Sequence, residues 1–364
     1  MSAGIQRITR QAGEWLWQQR FNRLYSPRAG LAGDPKALRL LLGVQGGGLD
    51  WLAGLLCRSA PRIRYYNEPL RRLTPPLMLS KGRDRCAIGF TKSLPAEHPL
   101  LRVLRMLVEP DNIWAAERMS NRVPHARYEP GICLVKETRA LLAAEPLLRR
   151  FGSPALLLVS EPVSTVDQML TADGLETAYL QREEAAVLRP GFVARFMPRD
   201  SRQVLSATRI IEGLPNPRER RILGRVLTVG LLNRMFRMLD ARYPSATAVS
   251  LRQLSQSPRD LARLIVGLLG EGWRDSAEIQ VADACVTTPA RGLDHAQLAI
   301  PGLNEPLRFL SVKEAVACRD MLAECGLAEA DTDELLTRGL GLSVFPHPRE
   351  RRPAPPPRPS ALRA

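Results

Sequence analysis

Glu68 and Lys136 are the residues of this chain whose type and placement could do chemistry. Glu68 follows the run Tyr65-Tyr66-Asn67 and precedes Pro69. A carboxylate at a strand end could accept a proton from a hydroxyl as a general base; its plainer role is to cap a turn or pair with Arg71 or Arg72. Lys136 closes the run Ile132-Cys133-Leu134-Val135 and could contact an anion. Its plainer role is an ion pair with Glu137 or another acid. A third feature is the stretch from Leu40 to Leu52, in which an apolar run leads into Gln45-Gly46-Gly47-Gly48 and then Leu49-Asp50-Trp51-Leu52. Strand, glycine turn and helix start together make a concavity of backbone N–H groups that favours anions.

The side chains that normally complete such a phosphate site are a lysine or arginine and one or two hydroxyls. Here Gly46, Gly47, Leu49 and Asp50 stand in those places. Asp50 suits the positive end of the helix but competes with a phosphate for it. Pairing of Asp50 with an arginine, which would seal an empty loop, is the expected arrangement. Arg64, Arg71 and Arg72 are the cations that could replace the missing loop charge.

The elements that must position these residues alternate from about Leu38 to Gly270. Strands are expected at Leu38–Val44, Arg62–Tyr66, Ile132–Lys136, Ala155–Val159 and Thr247–Leu251. Helices are expected at Leu49–Cys57, Thr138–Phe151, Ser164–Thr171, Arg218–Leu239 and Pro258–Leu269. That alternation argues for an α/β fold, a parallel sheet flanked by helices on both faces, with ligands beyond the carboxyl ends of the strands. The glycine turn and Ser160 both lie at such ends. Residues 1–30 read as an amphipathic helix, with Ile5, Ile8, Trp15 and Leu16 among arginines. Either the protein's own core or a membrane surface could take its apolar side, the contact falling within residues 1–25. Residues 71–130 are a Pro- and Arg-rich insertion that could cover the sheet end. Residues 271–345 form a small appendage with Glu314–Cys325 helical, and 346–364 a disordered Pro/Arg-rich tail.

The chain has 364 residues, 45% of them hydrophobic, which suffices for a sizeable core. Its net charge is +15, from 52 basic and 37 acidic residues, and only Lys36, Lys81, Lys92, Lys136 and Lys313 are lysines. Such a charge favours anionic partners, although base composition alone can enrich arginine. The basic tail has no interleaved aromatic residues, so nucleic acid is not an expected partner. The six cysteines form no CxxC pair, and no histidine stands at metal-ligand spacing, so no metal is expected. Reduced thiols, and the absence of an apolar leader or of a run of about 18 apolar residues, point to the cytoplasm, with membrane contact only at the periphery.

Four pieces in order resemble the sulfotransferase superfamily. They are the strand-turn-helix ending in Trp51-Leu52; Tyr65-Tyr66-Asn67-Glu68-Pro69-Leu70; Leu134-Val135-Lys136-Glu137-Thr138 with the later Leu156-Leu157-Leu158-Val159-Ser160-Glu161-Pro162; and Ala248-Val249-Ser250-Leu251 with the helix ending at Gly270. The match covers residues 38–270. It implies a P-loop-type parallel sheet and transfer of a sulfuryl group from 3′-phosphoadenosine 5′-phosphosulfate (PAPS) to a carbohydrate or small-molecule hydroxyl. It implies donor contacts at Gln45, Gly46, Gly47, Gly48, Leu49 and Asp50, with Ser160 and Gln168 at the 3′-phosphate.

The departures fall on the charged positions. Ser160 replaces the family's arginine, Gln168 its serine, and the loop has lost its basic residue and hydroxyls. Several lost hydrogen bonds to a charged group, each worth about 1.5–3 kcal/mol, would weaken the donor on the order of a thousandfold or more. Two functions are therefore expected. One is a catalytically weak or non-catalytic relative that binds a protein partner or an anionic polymer. The other is an active PAPS-dependent enzyme acting on an anionic saccharide or small molecule, with Glu68 as base and Lys136 at the anion.

Overall fold

The computed structural model describes residues 37–60, 63–69, 132–138, 140–171, 184–285 and 307–327, with Leu101, Leu104 and Leu107. The expected N-terminal helix, the C-terminal tail, nearly all of the insertion, Arg71 and Arg72 lie outside the described residues.

Five strands form one parallel sheet. They are β1 (Leu38–Gly43), β2 (Arg64–Asn67), β3 (Cys133–Glu137), β4 (Ala155–Val159) and β5 (Ala246–Ser250), arranged in the order β2-β3-β1-β4-β5. The central strands are buried on both faces, which is why they read as continuous apolar runs. One face carries Leu38, Leu40, Leu42, Cys133, Val135, Ala155 and Leu157. The other carries Leu41, Leu134, Leu156 and Leu158. Arg39 also points to that second face, where its guanidinium donates to the Leu268 carbonyl.

Helix α1 (Leu49–Ser59) follows β1 and packs on the second face. On the first face lie α2 (Ala144–Phe151), α3 (Pro162–Thr171), α4 (Pro190–Phe196), α5 (Ser201–Gly213) and α6 (Pro217–Arg242). Past β5 the chain returns to the second face as α7 (Leu251–Gln256), α8 (Pro258–Leu269) and α9 (Arg274–Asp283). Helix α10 (Val312–Glu324) begins with a Ser311/Glu314 capping box and buries Ala315, Cys318 and Leu322 in the first-face core. Crossovers toward the β2 edge thus use one face and those toward the β5 edge use the other. That arrangement gives the β1–β2, β3–β4 and β4–β5 crossovers the same hand, as parallel sheets require.

Element boundaries differ from expectation where local chemistry intervenes. The helix expected from Thr138 starts only at Ala144, after a 3-10 turn at Leu141–Ala143. Pro146 lacks an N–H and its ring would collide with the carbonyl of residue 142, so it is tolerated only in the first turn. Leu251, expected to end a strand, is instead the first residue of α7. On α6, Arg218, Arg220 and Arg221 are exposed, whereas Arg225 is buried. Among the described residues no helix is long and apolar enough to cross a membrane, and no group of His, Cys, Asp or Glu is placed to hold a metal ion.

Candidate functional site

Strand order sets where a ligand could sit. The chain leaves β1 onto the second face, whereas it leaves the neighbouring strands β3 and β4 onto the first. Connections that diverge to opposite faces open a crevice above the carboxyl end of β1. The glycine turn, Lys136 and Ser160 all line this end.

Lys136 is placed by register. It pairs with Leu41 of β1 on one side and with Asn67 of β2 on the other. Strand alternation turns it to the second face, beneath the start of α1. Its side chain is only 2% exposed, and its ammonium donates to Asp50 Oδ1, to Asn67 Oδ1 at 3.1 Å and to Glu68 Oε1 at 3.1 Å. An ammonium has three N–H donors, so these acceptors use all of them. Glu137, the neighbour that sequence reasoning offered as a partner, points to the opposite face and accepts from the Thr138 N–H at 3.1 Å. Asp50 was expected to meet an arginine; its cation is Lys136.

Glu68 reaches this cluster through an unusual backbone. It has φ 48°, the only positive φ among the described non-glycine residues. Its N–H donates to the Lys136 carbonyl at 2.9 Å, extending the β2–β3 ladder by one bond. The left-handed turn folds its carboxylate back over the strand end, where it also accepts from Thr138 Oγ1 at 3.3 Å. Such a conformation costs about 1–3 kcal/mol and persists only when the surroundings fix it; here the Lys136 ammonium and the Thr138 hydroxyl do so. The three charged groups, Asp50, Glu68 and Lys136, carry one negative charge in excess.

The glycine turn is closely walled. Gly46 and Gly48 take φ 78° and 84°, conformations that side chains rarely adopt. A Cβ on Gly47 would lie 2.7 Å from Ser160 Cβ, and one on Gly48 only 2.1 Å from Leu251 Cδ1. A Cβ on Gly46 would meet the Thr165 carbonyl at 3.2 Å and Gln168 Cβ at 3.5 Å. The fold therefore brings Gln45–Gly48, Leu49, Asp50, Ser160 and Gln168 together, as the motif order implied. Ser160 is fixed from behind by Asn233 of α6. Its N–H donates to Asn233 Oδ1 at 3.3 Å, and its carbonyl accepts from Asn233 Nδ2 at 2.6 Å. Its hydroxyl is buried with no hydrogen-bond partner.

Among the described residues, the arginine expected to serve the loop adds no positive charge on this side. Arg64 does not replace the loop cation: it starts β2 on the first face, and its guanidinium donates to the Leu107 carbonyl at 3.4 Å. Three residues of strand, about 10 Å, separate it from Asn67. On the second face burial raises the Tyr65 phenol, with Cys57, Asp50 and Glu68 adding to the shift. Burial pushes the Cys57 thiol up to about 12, so it is no nucleophile at neutral pH.

Carboxylates also fill two further backbone anion sites at this end. Glu161 accepts from the Ser164 N–H at 2.5 Å at the start of α3. Asp167 of α3 accepts from the N–H groups of Arg308, Phe309 and Leu310 at 2.7–2.9 Å, which anchors the segment leading into α10.

Asn67, Thr138, Asn233 and Leu251 are site residues that sequence reasoning missed. Asn233 did carry a signal, being the one amide in a largely apolar stretch from Val226 to Phe236 that also holds Thr228 and Arg234. Asn67 needed the β2–β3 register, which no local pattern encodes. No protein-family model matches the chain, and no curated protein matches it.

Proposed function

We propose that this chain is a non-catalytic relative of the sulfotransferases, built on their P-loop-type fold and working by binding a protein partner or an anionic polymer. The observation that carries this reading is the full commitment of the Lys136 ammonium to Asp50, Asn67 and Glu68. A donor that brings several negative charges would meet a cluster with a carboxylate in excess. The residues present do not fit PAPS. Asp50 holds the mouth, Gly47 and Gly48 are packed against Ser160 and Leu251, and Ser160 and Gln168 supply no charge. The parallel sheet with β1 at its centre and a glycine turn at the carboxyl end of β1 supports the fold assignment. The net charge of +15 supports an anionic partner.

One observation favours the enzymatic alternative. Glu68 and Lys136, the expected base and anion contact, do meet at the carboxyl end of the sheet, and Glu68 holds a strained backbone there. A turnover assay with radiolabelled PAPS and a panel of saccharide and phenol acceptors separates the two. The non-catalytic reading expects donor turnover equal to that of a Lys136→Met variant. Turnover by the native chain that vanishes in Lys136→Met and Glu68→Gln would overturn it.

A further inference from the structure

We propose that Arg225 and Thr228 of α6 form a binding site for a small monocarboxylate, separate from the crevice above β1. The site does not depend on how that crevice is read. Helical spacing puts Arg221, Gly224, Arg225 and Thr228 on one face of α6. Asn233, which clasps Ser160, lies five residues past Thr228, about 7.5 Å along the helix and roughly 140° around it.

Two buried donors on this face are unspent. Arg225 is 7% exposed and its Nε has no hydrogen-bond partner; Thr228 is 6% exposed and its hydroxyl has none either. A buried hydroxyl in a helix can donate to the carbonyl four residues back. Thr208 does so to Val204, and Ser59 to Leu55, both at 2.9 Å. Thr228 makes no such bond. A guanidinium N–H and a hydroxyl buried without acceptors are costly, and one oxyanion between these neighbouring side chains would satisfy both.

Glu184 is the acid that faces this cluster, and it leaves the guanidinium open. A Cβ on Gly224 would collide with Glu184 Oε1, so the carboxylate rests against the backbone of α6 at a place only glycine allows. From there it acts on Arg225 and Arg221 through space, with no hydrogen bond or ion pair to either among the described residues. Arg221, Arg225 and ionised Glu184 sum to one positive charge, which suits a monoanion. A guanidinium fork matches a carboxylate through two parallel hydrogen bonds, whereas a phosphate would bring a second negative charge beside Glu184. Arg221 is exposed and Glu184 half-buried, so the cluster reaches the surface there. The buried donors beyond them admit a ligand of only a few atoms.

The test is thermal melting of the full chain in sodium acetate, sodium phosphate and sodium chloride at equal ionic strength. Acetate should raise the melting temperature of the native chain saturably. Thr228→Val keeps the side-chain shape and removes the unpartnered hydroxyl. It should melt no lower than the native chain in chloride, yet need on the order of tenfold more acetate for the same rise, as expected for one hydrogen bond to a charged acceptor. Arg225→Met, shown to be folded by circular dichroism, should lose the acetate response. No saturable rise with acetate in the native chain overturns the site, and so does an unchanged response in Thr228→Val. A response to phosphate at equal or lower concentration overturns the assignment to a carboxylate.

Discussion

The Ser160 backbone is clasped by Asn233, whose side-chain amide both accepts from the Ser160 N–H and donates to the Ser160 carbonyl across 73 residues of chain. This pairing fixes the corner between β4 and α3, and through it the wall of the glycine turn. Replacing Asn233 by Leu removes both partners from buried backbone groups. A loss of about 1–3 kcal/mol per unsatisfied group is expected, measured as a lower urea midpoint at unchanged slope.

Lys136 should prove to be a stability residue. Lys136→Met leaves Glu68 without its cation in a largely buried place, and breaking such a pair costs about 3–5 kcal/mol. The double variant Lys136→Met/Glu68→Gln should recover much of that loss, because the uncompensated charge is gone. Equal instability of the single and double variants in chemical denaturation would contradict this role.

Gly48 and Leu251 should be energetically coupled. A methyl on Gly48 would overlap Leu251 and would also impose a side chain at φ 84°. Gly48→Ala should cost about 1–3 kcal/mol, as overpacking usually does. Leu251→Ala alone should cost about 2–5 kcal/mol through the cavity it leaves. The double variant should lose less than the sum, and strict additivity in a double-mutant cycle would argue against the contact.

Stability should depend on pH through two acids of opposite sign. Burial pushes the Glu184 carboxyl up to about 7, against the lowering effect of Arg225 and Arg221. The folded chain therefore holds a proton that the unfolded chain has already lost, and this contribution to stability decays as pH rises from about 4.5 to 7. Hydrogen bonds from Arg218 and the Ser311 N–H bring Glu314 down to about 2, so its contribution decays as pH falls from about 4.5 to 2. Glu184→Gln should flatten the neutral limb of a melting-temperature profile, and Glu314→Gln the acid limb.

How legible these features were depended on how local they are. Strands β1, β3 and β4 declared themselves as Leu- and Val-rich runs, and α6 and α8 as long apolar patterns expected to end at Leu239 and Leu269. Helices α4 and α5 were overlooked, although Val204, Thr208 and Ile211 mark one face of α5 at helical spacing. Helix α9 buries only Ala277 and Val281, too thin a stripe to stand out. At the site, motif order foretold that Ser160 and Gln168 would meet the glycine turn. It did not foretell the cation that meets Asp50. Lys136 lies 86 residues away and arrives there only through the β1–β3 register. Glu68 could be located at a strand end, but not its left-handed turn, which depends on the ammonium and hydroxyl that hold it.

The most direct measurement is calorimetric titration of the folded native chain with 3′-phosphoadenosine 5′-phosphate, the stable product of the sulfuryl donor. A site closed by its own carboxylates should show no heat of binding up to millimolar ligand. Micromolar binding that is lost in Lys136→Met would contradict a closed site and would mean that the glycine turn holds the nucleotide.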